Sequence, residues 1–351
     1  MDGQGAAVPV DGPTPFPAGL VAGLEFADFE AMAAAARGWD QQYLKLAPGP
    51  FHGAIAMAHT SRMQLAVAEW SCGLLSVGSV PKGVRTFALV SGPGGPARHG
   101  GEPVRPDQLA TLSDRGELHF LHPHSCDMLV FSLASDLLEE MAATYLGESW
   151  DEAAGSATVL DLRDPCRVHT RLSQLQAAAI AADPARLRDP AFAGMLEAAA
   201  AEALLPQLDL PPRRVVAAER RRLGRRAEDY LRAHQGRPVT IAELCAAVGA
   251  PERTLHMACR DYFGLPPIAF LRVLRLHGAR RQLLELGPAT SVTETAADWS
   301  FFHFGEFAAA YRRLFGEAPS RTKRRAAQGW RPDPVAVWDR ATSPMARNTG
   351  P

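Results

Sequence analysis

The spacing of apolar residues changes character twice along this 351-residue chain. From Phe51 to about Leu133 apolar positions come in short runs or alternate with polar ones, as in 64–70, 74–77, 85–90, 117–121 and 128–133. Connections rich in Gly and Pro, such as 91–107, separate them. A period of two with turn residues between runs predicts the strands of a β-sandwich or small barrel. From Ser135 the period lengthens, with Leu137, Leu138, Met141 and Tyr145 at helical spacing. Ala- and Leu-rich helices are expected over 169–182 and 190–205, and Pro211-Pro212 ends them. Segments 1–20 and 329–351 show no period and predict a loose leader and tail.

The second change is a duplication. TIAELCAAVGAPERTLHMACRDYFGLPP, from Thr240, is echoed by SVTETAADWSFFHFGEFAAAYRRLFGEAP, from Ser291. Thr240-x-x-Glu243 and Ser291-x-x-Glu294 both read as capping boxes, in which hydroxyl and carboxylate satisfy orphan N–H groups. Each copy then gives a short helix, a turn and a second helix ending in Phe-Gly, which is a helix-turn-helix unit. Gly249 makes the first turn, and Ser300 stands at the corresponding place in the second. Between the units, 267–286 predicts a continuous helix with Phe270, Leu271, Leu274, Ala279 and Leu283 on its apolar side. Such a helix would hold two reading heads about one DNA turn apart.

Charge divides the chain in the same way. Residues 1–212 hold 13 Lys and Arg against 25 Asp and Glu, whereas 213–331 hold 22 against 11. The net charge of −1 thus hides a basic part that attracts phosphate and an acidic part that does not. In the first unit the helical face opposite Leu255 and Cys259 carries Arg253, His256, Met257 and Arg260 as candidate groove contacts. In the second, Phe301, Phe304, Phe307, Tyr311 and Phe315 read mostly as core. His303, Glu306, Arg312 and Arg313 form the exposed face, expected to position more than to specify. Arginines at 220, 221, 222, 225 and 226 in a lead-in helix are further candidates for phosphate contact.

The N-terminal part offers less chemistry. Five scattered cysteines without a CxxC pair favour reduced thiols, and Cys245 and Cys259 fall at core positions. His119, His122 and His124 approach a His-x-His pattern, but Pro123 interrupts it and no Glu follows, so neither a metal nor another cofactor is expected. His52, Arg62, Glu69, Trp70 and Arg85 could line an effector pocket. No catalytic constellation stands out and the chain is not expected to be an enzyme. With no apolar run of membrane-spanning length and no secretory signal, a cytoplasmic location is expected.

The run from Ile241 through Gly249 to Leu255, the pattern Phe270-Leu271-x-x-x-Arg275-Leu276-x-x-Ala279, and FGEAPS from Phe315 resemble the AraC/XylS family of transcription regulators. Pro251 and Ser300 depart from the usual capping Ser and turn Gly. The resemblance spans about 222–325, and the β-rich part is similar to the cupin-like sensors of that family. It implies an α+β protein: a leader to 20, a β-rich sensor-like sandwich or barrel over 21–150, a helical connector or dimerisation region over 151–212, an all-α double helix-turn-helix domain over 213–328, and a tail. It also implies double-stranded promoter DNA and RNA polymerase as partners, a small-molecule effector, a homodimer, and activation of transcription. Two rival readings stay open: a metal-dependent cupin-type enzyme tethered to DNA, or an N-terminal part that only dimerises.

Overall fold

The structure is a computed structural model that describes residues 14–36, 39–91, 96–154, 157–210, 218–329 and 336–337. Its strands are β1 (Val21–Phe26), β2 (Asp40–Lys45), β3 (Gly53–His59), β4 (Met63–Trp70), β5 (Leu74–Ser79), β6 (Val84–Ser91), β7 (Ala97–His99), β8 (Glu102–Val104), β9 (Gln108–Ser113), β10 (Leu118–His122), β11 (Cys126–Ala134), β12 (Val159–Leu162), β13 (Leu208–Asp209) and β14 (Ala336–Val337). They form a larger sheet in the order β13-β12-β9-β6-β11-β4-β3-β1-β14 and a smaller one, β2-β5-β10-β7-β8. Paired strands run antiparallel throughout. This is the sandwich that the alternating pattern predicts.

The helices are α1 (Phe29–Ala35), α2 (Ser135–Tyr145), α3 (Trp150–Ala154), α4 (Pro165–Ala181), α5 (Pro184–Arg188) and α6 (Pro190–Leu204), then α7 (Ala218–Ala233), α8 (Ile241–Val248), α9 (Glu252–Phe263), α10 (Pro267–Leu286), α11 (Val292–Asp298), α12 (Phe304–Phe315) and α13 (Pro319–Ala327). Helices α4, α5 and α6 start alike. Asp164, Asp183 and Asp189 accept from first-turn amides, and the Pro that follows each one has no N–H to leave orphaned.

Four apolar clusters stack the elements in layers. One lies between the sheets, joining Ile55, Met57 and Ala68 to Tyr43, Leu74 and Phe120. A second covers the outer face of the larger sheet, where Phe87, Leu129 and Phe131 meet Leu138, Trp150, Leu172 and Leu196 of the helices. The third covers the outer face of the smaller sheet. There Leu44, Leu75 and Leu121 enter the same core as Leu231, Leu244, Leu255, Phe263 and Leu274 of the first helix-turn-helix unit. The fourth is the core of the second unit, around Leu283, Ala296, Phe307 and Tyr311. The smaller sheet therefore has no solvent layer between it and the C-terminal helices.

Three segments differ from their expected simplicity. Phe16, in the expected leader, is buried edge-on against His59. The expected connector over 151–212 supplies β12 and β13 to the larger sheet as well as helices. In the expected tail, β14 pairs with β1; the rest of 330–351, and leader residues 1–13, lie outside the described residues.

Candidate nucleic-acid interface

The first helix-turn-helix unit is built as its sequence suggests, with one exception. Thr240 Oγ1 accepts from the Glu243 amide at 3.1 Å and starts α8. Glu243 does not return the bond. Its carboxylate instead accepts from the Tyr230 hydroxyl at 2.7 Å and from Arg237, which hold it down to about 2. The capping box is thus half formed here and complete at Ser291–Glu294. Gly249 ends α8 at φ 67°, a left-handed conformation that Gly adopts without strain. Helix α9 then buries Leu255, Ala258, Cys259, Tyr262 and Phe263. Arg253, Met257 and Arg260 are exposed and His256 is half-buried, 3.8 Å from Glu252. All four share the face away from the core.

Helix α10 is more enclosed than a single apolar side predicts, because both units and the β-rich part pack on it. Val273, Leu276, His277 and Arg280 are buried along with the expected stripe. Gly278 sits under the Trp299 indole: a Cβ there would lie 2.2 Å from the ring. Trp299 Nε1 donates to Gln282 Oε1 of the same helix at 2.7 Å. Twenty residues at 1.5 Å each make α10 about 30 Å long, close to one turn of DNA.

In the second unit Ser300 takes the place of Gly249 at φ 60°, the one non-glycine residue with positive φ among the described residues. Its hydroxyl donates to the Gly236 carbonyl at 2.8 Å, which helps hold the strained turn. Helix α12 buries Phe307, Ala310, Tyr311 and Leu314. His303, Glu306, Arg312 and Arg313 are exposed, as expected of its outer face. Phe304, expected among the core aromatics, is instead 46% exposed. Phe301, delivered by the turn at Ser300, packs on Phe307 with ring centroids 5.0 Å apart.

The lead-in arginines divide. Arg221 donates to Thr158 Oγ1 at 2.9 Å and pairs with Glu102 at 3.1 Å, so it ties α7 to the β-rich part. Arg222, Arg225 and Arg226 are exposed, and the Arg220 side chain lies outside the described residues. Further ties join residues far apart in the sequence. His119 Nε2 meets Glu228 at 2.9 Å, and its ring stacks on Tyr262 at 3.9 Å. Burial pushes the Glu228 carboxyl up, but bonding to His119 and Arg232 more than offsets this and holds it below the ordinary value. Arg280 binds Asp28, the N-cap of α1, at 2.6 Å, Glu30 of α1 at 3.2 Å, and Glu317 at 3.1 Å. Lys45 donates to the Gly49 and Leu314 carbonyls. No periodicity could reveal these pairs, whose partners lie up to 269 residues apart.

The structure brings His52 close to Glu69 and Trp70 across the β3–β4 pair, but it does not gather all five effector candidates. His52 is exposed, Arg62 pairs with Glu140 and Glu197, and Arg85 pairs with Asp151. Glu69 is half-buried; burial raises its carboxyl and Asp127 adds to the effect. Trp70 is buried edge-on against His122. A cavity between the sheets is lined by other residues, among them Tyr43, Ser76, Thr86, His99, Thr111, Phe120 and His122. Burial holds His99 down to about 4 and His122 to about 3, so both are neutral there at ordinary pH. The Thr111 hydroxyl is buried without a partner among the described residues. Strand β10 ends at His122, and His124 lies in the exposed connection after it, so those two histidines share no strand face. The thiols of Cys72, Cys126 and Cys259 are buried, Cys245 is half-buried and Cys166 is exposed. Among the described residues no helix is long and apolar enough to cross a membrane.

Residues 244–325 match the profile of a family described as a helix-turn-helix domain. The probable thc operon regulatory protein of Rhodococcus erythropolis is 40% identical over 101 residues, 28% of this chain and 30% of that protein. XylDLEGF operon transcriptional activator 3 of Pseudomonas putida is 40% identical over 91 residues, 26% of this chain and 27% of its own. A solved structure of a probable AraC family transcriptional regulator from Rhodopseudomonas palustris CGA009 shares 38% identity over 30% of this chain and 96% of its own, with a TM-score of 0.29. The matched stretch thus spans less than a third of these two curated relatives. It carries the two-unit architecture described above: the C-terminal part of this chain is a helix-turn-helix domain, similar in sequence to a probable AraC family regulator.

Proposed function

We propose that this protein is a sequence-specific transcription regulator, without enzymatic activity, that binds promoter DNA through both helix-turn-helix units and responds to a small molecule in the sandwich cavity. The first unit reads with Arg253, His256, Met257 and Arg260. In the second, Arg312 and Arg313 hold phosphate while His303 and Glu306 face the groove. The β-rich part is the sensor, the basic part from 213 onward is the reader, two copies associate, and RNA polymerase is recruited in the cytoplasm to activate transcription.

Support for a response to ligand comes from the smaller sheet, above all strand β10. Its residues alternate between two environments, because successive strand side chains point to opposite faces. Leu118, Phe120 and His122 face the cavity. His119 and Leu121 face the first unit, where they meet Glu228, Tyr262 and its apolar core. In β5, Ser76 lines the cavity while Leu75 and Val77 pack on the same helices. A single layer of backbone therefore separates ligand from reader. A ligand that shifts this layer changes the free energy of DNA binding, and DNA changes ligand affinity by the same factor.

The lining also suggests the kind of signal: largely apolar walls with hydroxyls and neutral imidazoles favour a small uncharged molecule. The test is a thermal-shift screen of the full chain against such compounds, followed by DNA binding at fixed salt with each compound that raises the melting temperature. A compound that stabilises the protein should also alter its affinity for DNA. Ligands that stabilise it and leave DNA affinity unchanged would overturn the coupling, and weak, sequence-independent DNA binding would overturn the regulator reading itself.

A further inference from the structure

Two large apolar side chains stand in solvent at the leading end of α12. Phe302 is 68% exposed and Phe304 46%, although the neighbouring Phe307 and Tyr311 are buried. Leaving such surface in water forgoes burial free energy, so an exposed aromatic pair calls for a partner. The pair lies where a recognition helix reads base edges, in and just before its first turn. His303 and Glu306 are exposed beside it, and a Cβ at Gly305 would meet only open space. Arg312 and Arg313 are exposed further along the same helix.

The internal repeat sharpens the contrast. With Leu255 set on Phe307, Gly305 falls on Arg253, Phe304 on Glu252 and Phe302 on Ala250. The second unit has therefore lost the polar side chain of the first and carries aromatic ones next to its place. Resting on the DNA-binding reading above, we propose that Phe302 and Phe304 are base-reading residues of the second unit and recognise thymine through its C5-methyl group. That methyl is the apolar feature of the major groove, and side chains without hydrogen-bonding groups read it by contact. The arginines further along the helix favour a polyanion as the occupant. A symmetric contact between two copies of this face would bring Arg312 and Arg313 of both into proximity and add repulsion.

The test uses the full-length protein to enrich sites from a random-sequence duplex library. The enriched duplex is then remade with each thymine in turn replaced by deoxyuridine, which removes the methyl and nothing else. Wild-type protein should bind about fourfold more weakly for each contacted methyl removed. Phe302→Ser and Phe304→Ser, at exposed positions, should fold normally and abolish the penalty at one group of thymines. Equal binding of thymine and deoxyuridine duplexes by the wild type would overturn the proposal, and so would a penalty that survives in both variants. A change in oligomeric state of the serine variants, with thymine preference intact, would assign the pair to a contact between copies and overturn it. Failure to enrich any sequence would sink the DNA-binding reading, a result distinct from sequence preference without thymine dependence.

Discussion

Arg253 and Arg312 are both exposed arginines on reading helices, yet they differ in place and in expected role. Arg253 is in the first turn of α9, the part of a recognition helix that reads base edges; Arg312 is in the last turns of α12. Arg253→Ala should lose about 1–3 kcal/mol on the preferred sequence and little on random DNA. Arg312→Ala should weaken binding to all sequences alike and lower the salt slope by about 1. Affinities of the two variants on one specific and one random duplex, across a salt series, check both, and identical profiles would refute the division of labour. The exposed positions of α9 were legible because Leu255 and Cys259 fix its phase. Phe304 was not: helical period puts it near the face of Phe307, yet Phe301 packs on that ring while Phe304 is exposed.

At the scale of elements, the linker helix is where sequence told least and structure tells most. Its stripe of Phe270, Leu271, Leu274, Ala279 and Leu283 was legible, but Gly278 and Arg280 were not. Within a helix pattern Gly reads as a weak point and Arg as a solvated face; here a tryptophan and three carboxylates from elsewhere occupy those places. Gly278→Ala adds helix propensity of about 1 kcal/mol, but its methyl requires the Trp299 ring to move. Net destabilisation with altered Trp fluorescence is expected, and a stabilised variant with an unchanged spectrum would show that the contact yields freely. Arg280→Ala leaves Asp28, Glu30 and Glu317 without their shared cation. The loss should reach about 3–5 kcal/mol, as for other broken buried ion pairs. Urea unfolding measures it, and a loss below about 1 kcal/mol would mean that the seam between α1 and α10 relaxes without the arginine.

The whole molecule is a stack of helices, sheet, sheet and reading helices, with ionisable groups sealed between the layers. The sandwich, the duplicated unit and the charge split could be read from period and composition, which are local properties. Which face of the smaller sheet meets the reader could not, because alternation shows which side chains share a face and not what covers it. His59, His99, His122 and His277 are buried, and desolvation holds them down to about 4, 4, 3 and 3. The unfolded chain takes up protons near pH 6.5 while the folded one does not. Stability should therefore fall as pH drops from about 7 towards 5, by up to about 1.4 kcal/mol per unit for each histidine. Glu30 and Glu69, whose carboxyls are raised, act in the opposite sense as pH nears their own range. A melting temperature that stays level between pH 7 and 5.5 would contradict this sealing.

If both units, held apart by α10, engage one face of DNA at once, hydroxyl-radical footprinting of the full-length protein on an enriched duplex will show it. Two protected patches about one helical turn apart on the same face are expected. A single protected patch, unchanged by Arg312→Ala, would contradict it.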